Sequence, residues 1–258
     1  MAYLADVPLS AIFLVSLAVM MALSEIGCRF GMRARGKGKE DIATLEAAAF
    51  GLLALMIGFT FAMALTRFEA RREAVLSEAG AIEAAALRAR LLPAPSDAEA
   101  MTLLREYAHL RVAMTRAPRA EDLRAGIARS NAIHERLWQQ AAAAAAKPES
   151  SNSAGLVIEA LNDLIKAQQR RLAVVRNHVP TEVMAALYGI AALAVALSGY
   201  AQGLRAAPSR TPVFLTAGLI CCVIILIVDI ETPFRGFVHV NQQPLIDAAA
   251  QIAAMPPR

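Results

Sequence analysis

The chain has 258 residues and a formal net charge of +4; 57 % of its residues are hydrophobic and 19 % are charged. It has three cysteines, Cys28, Cys221 and Cys222, and no disulfide framework is expected because neighbouring cysteines rarely bridge. The positive charges gather beside long apolar runs, which argues against nucleic-acid binding and for attraction to anionic lipid headgroups. The composition therefore indicates a membrane protein whose partner is the lipid bilayer.

Four apolar runs have the composition of membrane spans: Val7 to Ile26, Ala47 to Thr66, Val183 to Leu204 and Val213 to Val228. A helix of about 20 apolar residues crosses the roughly 30 Å of hydrocarbon in a bilayer. The first run lacks a basic stretch ahead of it and a small-residue cleavage site behind it, so we expect a retained anchor and not a secretory signal. The sequence predicts four transmembrane helices.

The second apolar run passes directly into a charged segment, with no turn residue between Thr66 and Arg72. This pattern predicts one helix from Leu45 to about Leu92, on the order of 70 Å long at 1.5 Å per residue. Such a helix continues from the membrane into water.

The polar segment that follows is predicted to be helical, since each of its prolines stands at the end of a stretch with helical periodicity. Ser96 and Glu99 have the spacing of a capping box. The residues that follow place an apolar stripe at helical spacing, which should face another helix: Leu103, Tyr107, Leu110 and Met114. Two more helices are predicted from about 120 to 146 and from about 154 to 180, with a turn or loop between them.

No strand pattern is longer than a few residues, so the predicted fold is an all-α membrane protein. Its four transmembrane helices carry a helical extramembrane domain between the second and third spans. The predicted organisation assigns 1–66 to the first two spans, 67–180 to the helical domain, 181–230 to the last two spans and 231–258 to a C-terminal tail.

The short loops carry the basic residues that favour the cytoplasmic side: Arg29, Arg33, Arg35, Lys37 and Lys39 in the first, Arg205 and Arg210 in the second. This places the protein in the bacterial cytoplasmic (inner) membrane as a multi-pass protein, with the helical domain outside the cytoplasm. Arginines at both ends of the polar segment argue for the opposite orientation, but long segments follow the rule poorly.

Three segments carry a family resemblance: GFTFAMALTRFEARREAVLSEAGAI at 58–82, LRARLLP at 87–93 and DIETPFRGFVHVNQQPL at 229–245. Over nearly its whole length the chain resembles an uncharacterised bacterial membrane family described as bestrophin-like. Bestrophins are pentameric, anion-selective channels with four membrane helices per subunit and a large helical region between the second and third. The resemblance therefore implies a homo-oligomer, by analogy a pentamer, that acts as an ion channel or pore.

In bestrophins the second span lines the pore, and bulky apolar residues one turn apart form its narrow neck. The corresponding span here offers Ile57, Phe61 and Leu65 on one face. Apolar constrictions of this kind can gate by dewetting. The alternative is an ordinary stripe that faces lipid or packs against a neighbouring helix.

Charged residues at the two membrane exits are further candidates. Arg67 and Arg71 share a helix face and could form an electropositive vestibule that concentrates anions; the alternative is lipid anchoring or pairing of the arginines there with Glu69, Glu73 and Glu78. Bestrophins bind calcium just after the fourth span, which makes Asp229 and Glu231 ion-binding candidates by position. The alternative is a helix end whose acidic groups pair with Arg235 or with an arginine of the polar segment.

The motifs of the chain do not indicate catalysis or metal binding. The four histidines lie in separate segments without the spacing of a zinc site, and the chain has neither a glycine-rich phosphate loop nor a nucleophile elbow. We expect no enzyme, no metal and no cofactor. An alternative function is a non-conducting membrane scaffold or sensor that binds another envelope protein through its helical domain. It is favoured by the second span, whose polar residues are only Thr60 and Thr66.

Overall fold

The computed structural model describes residues 8–35, 42–115, 120–232 and 236–256. Within these ranges the regular structure is entirely helical, with a short 3-10 turn at Pro148–Ser150. The α-helices are α1 (Leu9–Ala34), α2 (Ile42–Ala89), α3 (Ser96–Met114), α4 (Ala120–Ala145), α5 (Ser151–Arg176), α6 (Thr181–Leu204), α7 (Thr211–Glu231) and α8 (Gln243–Ala254). The predicted all-α fold is confirmed.

Four helical stretches are long and apolar enough to cross a membrane: Leu9–Ala34, Ile42–Ala89, Pro148–Leu204 and Thr211–Glu231. They correspond to the four predicted spans, with α6 as the apolar part of the third. The predicted continuous helix through the second span is also confirmed, since α2 runs for 48 residues without interruption.

The first span extends further than its apolar run predicts, because α1 continues past Ile26 to Ala34. Glycines explain this extension. A Cβ on Gly27 would overlap the carbonyl oxygen of Ala196, and a Cβ on Gly203 would overlap that of Cys28. The missing side chains let the backbones of α1 and α6 approach closely, so the last turns of α1 are supported by α6.

The predicted capping box at the start of α3 is wrong. Pro95 occupies the N-cap position, and no side chain caps this helix. Glu99 instead accepts a hydrogen bond from Gln140 of α4. The predicted stripe on α3 is confirmed, because Leu103 and Tyr107 are buried in the apolar core of the same unit, Leu110 packs against that core, and Met114 is buried.

The chain forms two compact units. The membrane unit comprises 1–68 and 178–239, and its core is built from α1, the first part of α2, α6 and α7. The helical unit comprises 69–177 and 240–258. Its core is built from the remainder of α2 with α3, α4, α5 and α8.

The last residues of the chain belong to the helical unit through α8, which packs against α3. Leu245, Ala248 and Ile252 of α8 are buried in the core of that unit. Arg105 of α3 donates hydrogen bonds to the carbonyl oxygens of Ile252 at 3.3 Å and Met255 at 2.6 Å. The segment predicted as a tail thus contributes an amphipathic helix to the helical unit.

Candidate functional site

The three residues predicted to line a pore lie at the edge of the packed face of α2. Ile57 and Phe61 are half-buried against the core of the membrane unit, whereas Leu65 is 44 % exposed. Within one chain, α2 leaves a neighbouring strip of small residues uncovered, including Gly51 and Gly58. The predicted face therefore adjoins a surface open to lipid or to another subunit.

The two threonines of this span direct their hydroxyl groups to their own helix. Thr60 is fully buried and donates to the Met56 carbonyl oxygen at 2.7 Å. Thr66 donates to the Ala62 carbonyl oxygen at 2.9 Å. Both hydroxyl hydrogens are therefore used within α2 itself.

The two arginines predicted to form a vestibule lie one helical turn apart on α2, just after its apolar run. Arg67 is half-buried, and its Nη1 donates to the Met63 carbonyl oxygen at 3.2 Å. Arg71 is buried with 4 % of its surface exposed. A vestibule lined by these residues stays a prediction.

The acidic residues near this exit have separate partners. Glu69 pairs with Arg72 at 3.5 Å, as the pairing alternative predicts. Glu73 pairs across the helical unit with Arg170 of α5 at 3.2 Å, and both side chains are more than half exposed. Such exposed pairs contribute little to stability.

A buried charge cluster in the helical unit centres on Glu78, which is completely shielded from solvent. Its carboxylate accepts two hydrogen bonds from Arg111 of α3, at 2.5 and 3.1 Å, and one from Arg171 of α5 at 2.7 Å. Burial alone would raise the pKa of Glu78, but the two guanidinium groups outweigh it and hold that pKa below its ordinary value. The cluster therefore contains an ionised carboxylate between two cations.

Polar neighbours complete the cluster. The Tyr107 hydroxyl donates to Glu78 at 2.9 Å and lies 3.1 Å from Gln168 Oε1. Burial and the adjacent carboxylate raise the pKa of Tyr107, so this phenol stays protonated. Arg171 also donates to the Gln242 side chain at 3.0 Å. One network thus joins α2, α3, α5 and the residue that precedes α8.

His134 of α4 is buried beside this cluster, with its ring centroid 4.8 Å from that of Tyr107. Burial is the main cause that lowers the pKa of His134, to about 4, and the charge of Arg111 adds to it while Glu78 opposes it. The other three histidines are exposed. At neutral pH His134 is therefore an uncharged core residue.

The two ion-binding candidates at the end of α7 both accept hydrogen bonds from backbone amides. Asp229 accepts from Phe237 at 2.8 Å and from Val238 at 3.0 Å, and Glu231 accepts from Val179 at 2.8 Å. Arg235 lies outside the described residues. Among the residues that are described, no group of three or more His, Cys, Asp or Glu side chains could hold a metal ion. Ion binding at these carboxylates stays a prediction.

Sequence reasoning placed Glu78 only among possible partners of the exit arginines and missed the buried cluster. A signal was available. Glu78 lies one turn from Ala74 and one turn from Ile82, both buried, so it interrupts an apolar stripe on α2. A lone charge in such a stripe requires a buried partner of opposite sign.

Comparisons with known proteins agree with this architecture. A search among curated proteins gave no match. The fold is similar to crystal structures of a bacterial bestrophin homologue from Klebsiella pneumoniae. A tryptophan-to-alanine variant of that protein is 17 % identical at a TM-score of 0.71, with 95 % of each chain covered. A structure of the same homologue phased with zinc is also 17 % identical, at a TM-score of 0.67, covering 93 % of this chain and 95 % of the other.

Similarity at this level of identity shows a shared fold. The family follows from the sequence, because the model of the bestrophin-like domain matches residues 11–245. Together with the four apolar helices, this match makes the protein a multi-pass membrane protein that belongs to the bestrophin-like family.

Proposed function

We propose that this chain assembles as a homo-oligomeric membrane channel in which α2 of each subunit lines a common axis. The observation that carries the proposal is the 48-residue α2 of a bestrophin-like chain, with one side of its membrane-spanning part uncovered. A ring of subunits would cover that side and bring the α2 helices together. By analogy with bestrophins the ring is a pentamer, and we place it in the bacterial inner membrane with the helical domain outside the cytoplasm.

The narrow part of this pore is formed by Ile57, Phe61 and Leu65. These side chains lie at the edge of the packed face, where a small rotation of α2 would change how far they reach toward the axis. An apolar constriction needs no free polar group, because it opens by hydration and closes by dewetting. Thr60 and Thr66 bond to their own helix and leave such a constriction dry.

Anions are the proposed permeant ions. Arg67 is half-buried where α2 leaves the apolar run, so a ring of subunits repeats its positive charge around the axis. Arg71, buried one turn later, adds to the positive potential at the same exit. Cations concentrated at the mouth of a low-dielectric passage raise the local concentration of anions.

The test compares two matched substitutions on α2 in planar bilayers. Phe61→Ala removes a ring from the proposed constriction, whereas Phe59→Ala removes the same ring from a side chain that is 61 % exposed on the opposite flank of the uncovered strip, away from Ile57 and Leu65. We expect the wild-type chain to conduct chloride, Phe61→Ala to raise the current several-fold and Phe59→Ala to leave it unchanged. Equal effects of both substitutions would contradict the assignment of this face.

A non-conducting scaffold is the second candidate, and the apolar lining favours it, because neither threonine hydroxyl of this span is directed away from its own helix. The scaffold would bind an envelope protein through the helical unit. It predicts no current from the wild-type chain or from either phenylalanine variant.

A further inference from the structure

The segment after α7 is folded back against the last turn of that helix by one buried carboxylate. Asp229 Oδ1 accepts the backbone N–H of Phe237 and Oδ2 accepts that of Val238, at 2.8 and 3.0 Å. A Cβ on Gly236 would overlap the Asp229 carboxylate, so a residue without a side chain is needed there. These contacts fix where residues 236–238 lie relative to α7.

Two neighbouring apolar residues of this segment have opposite surroundings. Val238 is half-buried and packs against the core of the membrane unit. Phe237 is 90 % exposed, more than any other large apolar side chain in the described part of the chain. The backbone bonds to Asp229 hold this ring away from the core while its neighbour is packed into it.

The same bonds define the depth of the ring. Asp229 lies two residues before Glu231, the last residue of α7, and follows directly after the apolar run that ends at Val228. At 1.5 Å per residue, the contact is about 3 Å from the end of the helix. Phe237 therefore lies at the level where the fourth span passes from hydrocarbon to water.

We propose that Phe237 is an interfacial anchor, which inserts its ring into the boundary between the acyl chains and the headgroups of the bilayer. Moving the ring from water into the adjacent hydrocarbon is favourable, because it removes apolar surface from water. Aromatic residues are enriched in membrane proteins at the boundary between hydrocarbon and water. Asp229 and Gly236 present the ring, and Val238 attaches the segment to the core. The anchor is independent of ion conduction.

The test uses tryptophan as a depth probe. The chain has a single tryptophan, Trp138 in the helical unit, so Phe237→Trp combined with Trp138→Phe places one indole at the proposed anchor. The protein is reconstituted in phosphatidylcholine vesicles whose acyl chains carry bromine either near the headgroup or near the chain end. We expect strong quenching by bromine near the headgroup, weaker quenching by deep bromine and little quenching by aqueous iodide.

Two results would overturn the anchor. Emission typical of indole in water, quenched by iodide and not by bromine, would place the ring in solvent. Blue-shifted emission that neither quencher reduces would place it against another protein surface, such as a second copy of the chain. Trp138→Phe alone, which contains no tryptophan, measures the background.

A further variant tests whether Asp229 sets the depth. Asp229→Asn in the same single-tryptophan background keeps the size of the side chain but replaces one acceptor oxygen by a donor. The preference for bromine near the headgroup should weaken as the segment is released. An unchanged preference would contradict the role of Asp229.

Discussion

Replacing Glu78 by glutamine should destabilise the helical unit strongly. The substitution keeps the shape of the side chain but removes the negative charge that lies between Arg111 and Arg171, whose side chains are 2 % and 13 % exposed. Both guanidinium groups would stay where solvent cannot replace the lost carboxylate. The Tyr107 hydroxyl would lose its charged acceptor as well.

The expected size follows from the burial of the cluster. Breaking a buried ion pair by removing one partner costs about 3–5 kcal/mol, because the remaining charge is left uncompensated. For a unit of this size, each kcal/mol lowers the melting temperature by roughly 3–5 °C, so the total decrease should be about 10–25 °C. Trp138 on α4 is the single tryptophan of the chain, and its fluorescence reports the unfolding of this unit.

Glu73→Gln is the matched control on the same helix. Its ion pair with Arg170 is exposed on both sides, so its loss should cost less than about 1 kcal/mol. A melting temperature of Glu78→Gln within a few degrees of the control would refute the reasoning, since it would mean that the buried guanidinium groups do not need the carboxylate.

Two further predictions concern acid stability and helix packing. The pKa of His134 falls from 6.5 to about 4 on folding, so between these values only the unfolded chain binds the proton. The free energy of unfolding of the helical unit should therefore fall by up to about 3 kcal/mol as the pH drops from 6.5 to about 4. Melting followed by Trp138 fluorescence should show a smaller pH dependence for His134→Gln and an unchanged one for His109→Gln. In the membrane unit, a Cβ on Gly199 would overlap the Ser24 carbonyl oxygen, whereas one on Gly189 meets no atom within 4 Å. Gly199→Ala should thus cost about 1–3 kcal/mol or more by separating α1 from α6, and Gly189→Ala should be neutral or slightly stabilising, as thermal unfolding followed by helical circular dichroism would measure.

Local patterns were sufficient to predict most of the helices. Apolar runs mark the spans because hydrocarbon excludes charge, and prolines such as Pro148 and Pro180 lie next to helix boundaries because they cannot continue a hydrogen-bonded turn. The boundary of α1 was predicted poorly. Its last turns are supported by glycines that meet α6 more than 160 residues later in the sequence, and such a contact has no local signature.

The buried cluster could be predicted only in part. Glu78 and Arg171 are 93 positions apart, and either could have been a solvated surface charge. Tyr107 was expected to face a helix, which is confirmed, but its hydroxyl partners depend on how α2 and α5 pack around α3. The contribution of α8 was missed because its contacts are with α3, far away in the sequence. From the sequence alone, a short amphipathic segment near the end of a chain cannot be distinguished from an unpacked tail.

The current carried by the purified chain in a planar bilayer tests the central claim most directly, with the wild-type protein, Phe61→Ala and Phe59→Ala measured under the same chloride gradient. We predict chloride current from the wild-type chain, a several-fold larger current from Phe61→Ala and an unchanged current from Phe59→Ala. The absence of current from all three proteins, each shown to be folded and inserted, would contradict the channel.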